Sequence, residues 1–152
     1  LKFLATDKKD DGSSILSEYV EQGNITVDVN SQLNKANEIQ RQCASVGFDW
    51  PNAEPVFDKV IEELQEVKEA ISNSTKNKED VEEELGDLLF ACVNLCRHLQ
   101  ISPDNAIYLA NQKFIKRFQQ IELILQSDGE KTEEQSLERL DELWKVVKSS
   151  AK

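Results

Sequence analysis

From Asn30 onward, apolar positions recur with the period of an amphipathic helix, and the breaks between periodic runs are short. A first helix is predicted over Ser31–Ser45, stopping near Gly47. In FDWP, Trp50 precedes Pro51, a pairing that favours an extended residue followed by a helix start. A second helix is predicted from Pro55 to Ile71, with Phe57, Val60, Ile61, Leu64, Val67 and Ile71 on one stripe. SNSTKNK interrupts the pattern. A third helix is predicted over Glu79–Leu99, with the stripe Val81, Leu85, Leu88, Cys92, Leu95 and Leu99. Ser102 as N-cap and Pro103 at the first helical position open a fourth helix, running to about Gln126. SDGEKT is a further break, and a last helix is predicted over Glu133–Lys148. Four or five helices joined by short loops imply an all-α fold, an antiparallel helical bundle.

Residues 1–30 differ from the rest. They are polar, with a Gly-Ser-Ser break and a short alternation at Ile25, Val27 and Val29. This reads as a linker or N-terminal arm with one extended stretch, preceding a helical domain over 31–152. A total of 152 residues suits one domain with a sizeable core. Gly at 5 and Pro at 3 is low and agrees with helices over a turn-rich β fold. The chain has no methionine, which points to a trimmed chain or the back part of a longer protein.

The charge balance narrows the function. A net charge of -11 without a basic patch argues against binding a nucleic-acid backbone. An acidic protein still reaches an anionic ligand if it first collects divalent cations. The longest apolar run, LLFACV, is far too short to span a membrane, and the N-terminus shows no signal-peptide pattern. Three cysteines, Cys43, Cys92 and Cys96, cannot all pair with one another, which favours a reducing, cytoplasmic setting. Cys92 and Cys96 stand four apart beside His98, a hint of zinc. His98 is rotated away from them and Cys43 has no clear partner, so core packing is the favoured reading.

At about 100° per residue, Glu63 and Glu66 lie along one edge of the second helix's apolar stripe, while Glu62 and Glu69 point toward water. On the third helix Glu84 and Asp87 line the edge of the stripe, and Ala91 and Asn94 continue the same row. Each helix therefore offers an acid pair at i and i+3, on one face. A short loop makes the two helices antiparallel, so the pairs can meet at one level. Four carboxylates that close repel strongly without a cation, and Mg²⁺ or Mn²⁺ takes oxygen ligands of this kind. No Glu-x-x-His pair accompanies them, which argues against iron. Either pair alone also fits a solvated surface or the helix macrodipole.

SVGFDWP, DKVIEELQEVKEAI, EEELGDLLFACVNLCRHL and ANQKFIKRF together closely resemble the MazG family of nucleoside triphosphate pyrophosphohydrolases, over about Ser31–Lys148. The resemblance is to the C-terminal domain of the long, two-domain form, and SSIL near Ser13 looks like the linker that precedes it. It implies an all-α homodimer that cleaves a nucleoside triphosphate between its α and β phosphates with Mg²⁺, releasing the monophosphate and pyrophosphate. The family's E-x-x-E matches Glu63 and Glu66, and its E-x-x-D matches Glu84 and Asp87; these are the implied metal-binding and catalytic residues. Glu62 and Glu83 match motif acids that stand behind the ligands. Lys113 and Arg117 match the family's basic pair, and Trp144 matches its tryptophan near the C-terminus.

The residue chemistry agrees with that assignment. Lys113 and Arg117 stand four apart and would hold phosphate oxygens, or else pair with local acids. Trp144 would stack on a base or pack at the end of the last helix. Asn94 suits a sugar or phosphate contact, and equally a satisfied buried amide. Trp50 and Phe48 are expected to pack at the helix start. Glu63 or Glu66 would orient the attacking water. Broad nucleotide-pool house-cleaning is the function implied. The alternatives are a narrower dUTP- or dCTP-type pyrophosphatase and a non-catalytic helical dimerisation or regulatory module.

Overall fold

The computed structural model describes residues 14, 16, 30–73 and 77–150. The arm expected over 1–30 falls almost wholly outside these, including the alternation at Ile25, Val27 and Val29. The described residues form five α-helices and one 3-10 turn, with no strand: α1 (Gln32–Ser45), α2 (Glu54–Ser72), α3 (Lys78–His98), α4 (Pro103–Ser127), the turn Thr132–Glu134, and α5 (Leu137–Ser150). This is the all-α class that the periodicity predicts.

Local chemistry sets the helix ends. Ser31 caps α1 by accepting from the Asn34 amide, and its hydroxyl donates to Asp104 at the start of α4. Asn52 accepts from the Glu54 amide, and Pro55 occupies the first turn of α2. Asn77 and Asp80 form a reciprocal capping box at the start of α3, with bonds of 3.0 and 3.1 Å. Ser102 caps α4. The last helix starts later than expected. Ser136 accepts from the Arg139 amide, so Leu137 is the first helical residue, and the acidic segment before it closes into the 3-10 turn instead. α3 ends with Gln100 in the left-handed region (φ 59°), where the Ile101 amide reaches back to the Cys96 carbonyl.

The chain divides into two units, Ile25–Tyr108 and Leu1–Asn24 with Leu109–Lys152. In the second unit Ile121 and Leu125 of α4 pack with Leu143 and Val147 of α5, flanked by Ile124, Leu140 and Trp144. In the first, α3 packs against both α2 and α1. The short connection between Asn73 and Asn77 makes α2 and α3 an antiparallel hairpin.

The buried side of that hairpin differs from the expected apolar stripes. Of the six stripe residues on α2 only Val67 is buried, and none of the six on α3 is. The buried residues of α3 are Ala91, Val93 and Asn94. The Ala91 and Asn94 end of the row that carries Glu84 and Asp87 therefore turns inward, and Leu85 and Leu89 stay solvent-accessible, Leu89 at 57%. Ala91, Val93 and Asn94, rather than the larger apolar residues of the stripe, take the buried side of α3.

Candidate active site

Glu63 projects from α2, and Glu84 and Asp87 from the facing turn of α3. One carboxylate oxygen from each lies within 4.8 Å of the other two. Glu63 is only 8% exposed, Glu84 is half-buried and Asp87 is open to solvent. The donor set is all oxygen, with one side open, and fits a hard divalent cation that keeps some of its waters. Glu66, one turn along α2, is half-buried and outside this group. Glu62 and Glu83 are exposed.

Lys59 was not singled out in the sequence, and it belongs to this cluster. Its ammonium lies 2.5 Å from Glu63 and 3.2 Å from Glu62. Glu63, and then Glu62, raise its pKa above the ordinary lysine value. The signal was available, because Lys59 and Glu63 stand at i and i+4 on a helix.

A cavity of about 610 Å³ opens from these acids. Lys59, Glu63 and Asp87 line one part, and Gln40, Phe48, Trp50, Asn94 and Arg97 line another. Ala91 and Asn94, the residues that α3 turns inward, line it beside residues of α1 and α2. Phe48, 81% exposed, and Trp50, 39% exposed, line the cavity rather than packing at the helix start as expected.

A polar network ties the connection between α1 and α2 to the end of α3. Asp49 accepts from Arg97 Nη2 at 2.6 Å and Nη1 at 3.0 Å, and lies 2.9 Å from His98 Nε2. Arg97 in turn donates to Asn94 Oδ1 from Nη2 at 2.8 Å and from Nε at 3.1 Å. The Arg97 hydrogen bonds, reinforced by His98, hold the Asp49 carboxyl down from 3.8 to about 2 against the opposing effect of burial. Sequence reading could not find this network, since Asp49 and Arg97 stand 48 positions apart.

Lys113, Arg117 and Trp144 all belong to the second unit. Lys113 is exposed, whereas Arg117 is half-buried with its guanidinium carbon 5.7 Å from the centre of the Trp144 ring. Phe114 stands 5.1 Å from the same ring, and Trp144 packs on the Leu125–Leu143 core. The tryptophan thus has core and cation neighbours of its own. Cys92 and Cys96 are half-buried, with thiols pushed up by burial. Among the described residues no cysteine joins a three-ligand group.

Comparison with known proteins matches residues 53–121 to the MazG nucleotide pyrophosphohydrolase domain, a span that holds α2, α3 and all four predicted acids. The chain is 44% identical over 116 residues to the nucleoside triphosphate pyrophosphohydrolase/pyrophosphatase MazG of Thermotoga maritima. It is likewise 44% identical over 116 residues to the nucleoside triphosphate pyrophosphohydrolase of Escherichia coli. Each alignment covers 76% of this chain and 44% of the relative, so the chain spans less than half the length of these curated relatives. A shorter match, 36% identical over 74 residues, is to the uncharacterized protein YabN of Bacillus subtilis and covers 49% of this chain and 15% of that protein. With the acid row, the helical hairpin that carries it and these similarities in agreement, residues 53–121 of the chain are a domain of the MazG family.

Proposed function

We propose that the chain hydrolyses nucleoside triphosphates between the α and β phosphates, taking up one water and releasing a nucleoside monophosphate and pyrophosphate. The observation that carries this reading is the meeting of Glu63, Glu84 and Asp87 at the cavity wall, in a chain similar to proteins named for that activity.

Glu63, Glu84 and Asp87 would hold the divalent cation, with Glu66 one turn away on α2. Mg²⁺ is the proposed ion, with Mn²⁺ as a substitute. Bound there, it supplies charge neutralisation for the triphosphate and Lewis acidity at phosphorus. Glu63 or Glu66 takes the proton of the attacking water. Lys59, which neutralises Glu63, would be at hand to donate to a phosphate oxygen beside the held cation. Glu62 and Glu83 add negative charge behind the ligands. Lys113 and Arg117 serve as further phosphate donors.

Broad specificity and a house-cleaning role complete the reading. Phe57, Ile61 and Leu64 on α2 and Leu85 and Leu89 on α3 remain exposed, and such apolar surface suits a second copy of the chain. A homodimer is therefore part of the proposal. The net charge of -11 fits a nucleotide substrate approached through cations rather than a nucleic-acid partner. No described helix is long and apolar enough to cross a membrane. The free cysteines suit a cytoplasmic setting.

The test is pyrophosphate release from a panel of canonical and modified nucleoside triphosphates, with Mg²⁺, with EDTA, and in Glu63→Ala and Glu84→Ala. Broad, metal-dependent release lost in both variants is the expected result. Release from a single base would replace it with a dUTP- or dCTP-type specificity, and none from a folded protein would leave a regulatory module.

A further inference from the structure

We infer that Lys59 is a built-in stand-in for the divalent cation: its ammonium neutralises Glu63 ahead of the ion, competes with the ion for that carboxylate, and so sets the cation concentration at which the acids load. This rests on the reading of Glu63, Glu84 and Asp87 as cation ligands and adds how their loading is controlled.

Helix spacing places the competitor. Lys59 stands four residues before Glu63 and three before Glu62, so one ammonium reaches both carboxylates along one face of α2. Its Nζ lies 2.5 Å from Glu63 Oε1 and 3.2 Å from Glu62 Oε1. Pairs of this spacing are common and weak where both partners are wetted. Lys145 and Asp141 on α5, 2.9 Å apart and exposed on both sides, form such a pair. Lys59 differs in what its partner faces. Glu63 is buried, and oxygens of Glu84 and Asp87 converge on it. A buried carboxylate beside two other acids needs a positive charge near it, and Lys59 supplies one from the same helix.

Two positive groups then contend for one carboxylate. An ion held by Glu63 at about 2.1 Å would stand within roughly 6 Å of the ammonium, inside one Debye length, where repulsion is little screened. Glu62 is exposed and gives the ammonium a second partner, and Lys59 is only half-buried. The side chain can therefore give up Glu63 by rotation while α2 stays as it is. Glu63, and then Glu62, raise the lysine's pKa above its ordinary value, so what moves is an ion pair and not a proton. The consequence is a threshold: the acids with Lys59 need more cation than the acids alone.

The test is Mn²⁺ binding to the full chain without nucleotide, the free ion being counted by electron paramagnetic resonance. Binding by the parent that Asp87→Asn weakens establishes the ion at the acids; without it, the cation reading of the cluster fails and this inference with it. Given that binding, Lys59→Met should lower the Kd for Mn²⁺ about tenfold, the order expected for removing one unit charge at this range. Lys59→Gln keeps a donor for Glu63 but no charge. It should lower the Kd in the same direction, and it covers the case of a methionine variant that folds poorly. Lys59→Arg keeps the charge and should leave the Kd within about twofold of the parent, or raise it. Lys145→Met removes the same charge from the wetted pair on α5 and should change the Kd by less than about twofold. A Kd no lower than the parent's in both Lys59→Met and Lys59→Gln, with Asp87→Asn still weakening binding, would overturn the inference. An equal gain in Lys145→Met would do the same, by tracing the effect to net charge.

Discussion

Lys59 Nζ lies 2.5 Å from Glu63 Oε1, one turn away on α2, and it puts a positive charge against the most buried carboxylate of the acid cluster. Without the ammonium, Glu63 is left in a poorly hydrated place with acids facing it. Lys59→Met should therefore lower stability by about 1 kcal/mol in EDTA. Excess Mg²⁺ should restore most of the loss by binding the native state alone. Thermal melts with and without the chelator check both halves of the expectation.

Asp87 is the exposed member of the same cluster. Its loss removes a proposed cation ligand without opening a cavity or stranding a buried group. Asp87→Asn should shift the melting temperature little. The Mg²⁺ concentration for half-maximal pyrophosphate release should rise about tenfold or more, a step of roughly 1.4 kcal/mol in ion affinity. Metal titration of the initial rate is the measurement.

The Asp49 clamp gives a pH dependence whose sign is set by its lowered pKa. A carboxyl that titrates at about 2 in the fold, against 3.8 ordinarily, adds stability in full above 3.8. That contribution is lost as the pH falls from 3.8 through about 2. Asp49→Asn should flatten this part of an acid unfolding curve followed by circular dichroism. Between pH 5 and pH 9 the Asp49 carboxyl itself does not titrate.

The α4–α5 unit should respond to packing rather than charge. Leu125 is fully buried, and Leu125→Ala should cost about 3 kcal/mol through lost contacts and the space left behind. Trp144→Leu keeps an apolar filling but removes the ring beneath Arg117. It should cost less stability than Leu125→Ala while still altering the rate if Arg117 serves the phosphates. Denaturant melts set beside kinetics separate the two effects.

The helices and the acids were legible because their signals are local. Ser31, Asn77, Asp80 and Ser102 mark helix starts within a few residues of the ends they cap. Glu63, Glu84 and Asp87 are readable from helical spacing and one short loop. The late start of α5 was missed because Ser136 competes as a cap with an acidic segment that looks equally helical. The inward turn of the Ala91 row was hidden for a different reason. Helical periodicity locates an apolar stripe but not what covers it, and here the larger residues Leu85 and Leu89 face outward. The Asp49–Arg97 clamp needs the tertiary fold to bring its halves together, so no window of sequence contains it.

The residues that α3 turns inward confer a kind of evolvability. Ala91 and Asn94 set the cavity by what they leave empty, whereas Glu84 and Asp87 carry charge farther up the helix. Steric headroom and reactivity are thus encoded at different positions of one α-helix. A larger side chain at Ala91 would narrow the range of guests with every acid still in place. The volume beside the helix can thus change with the acids left as they are.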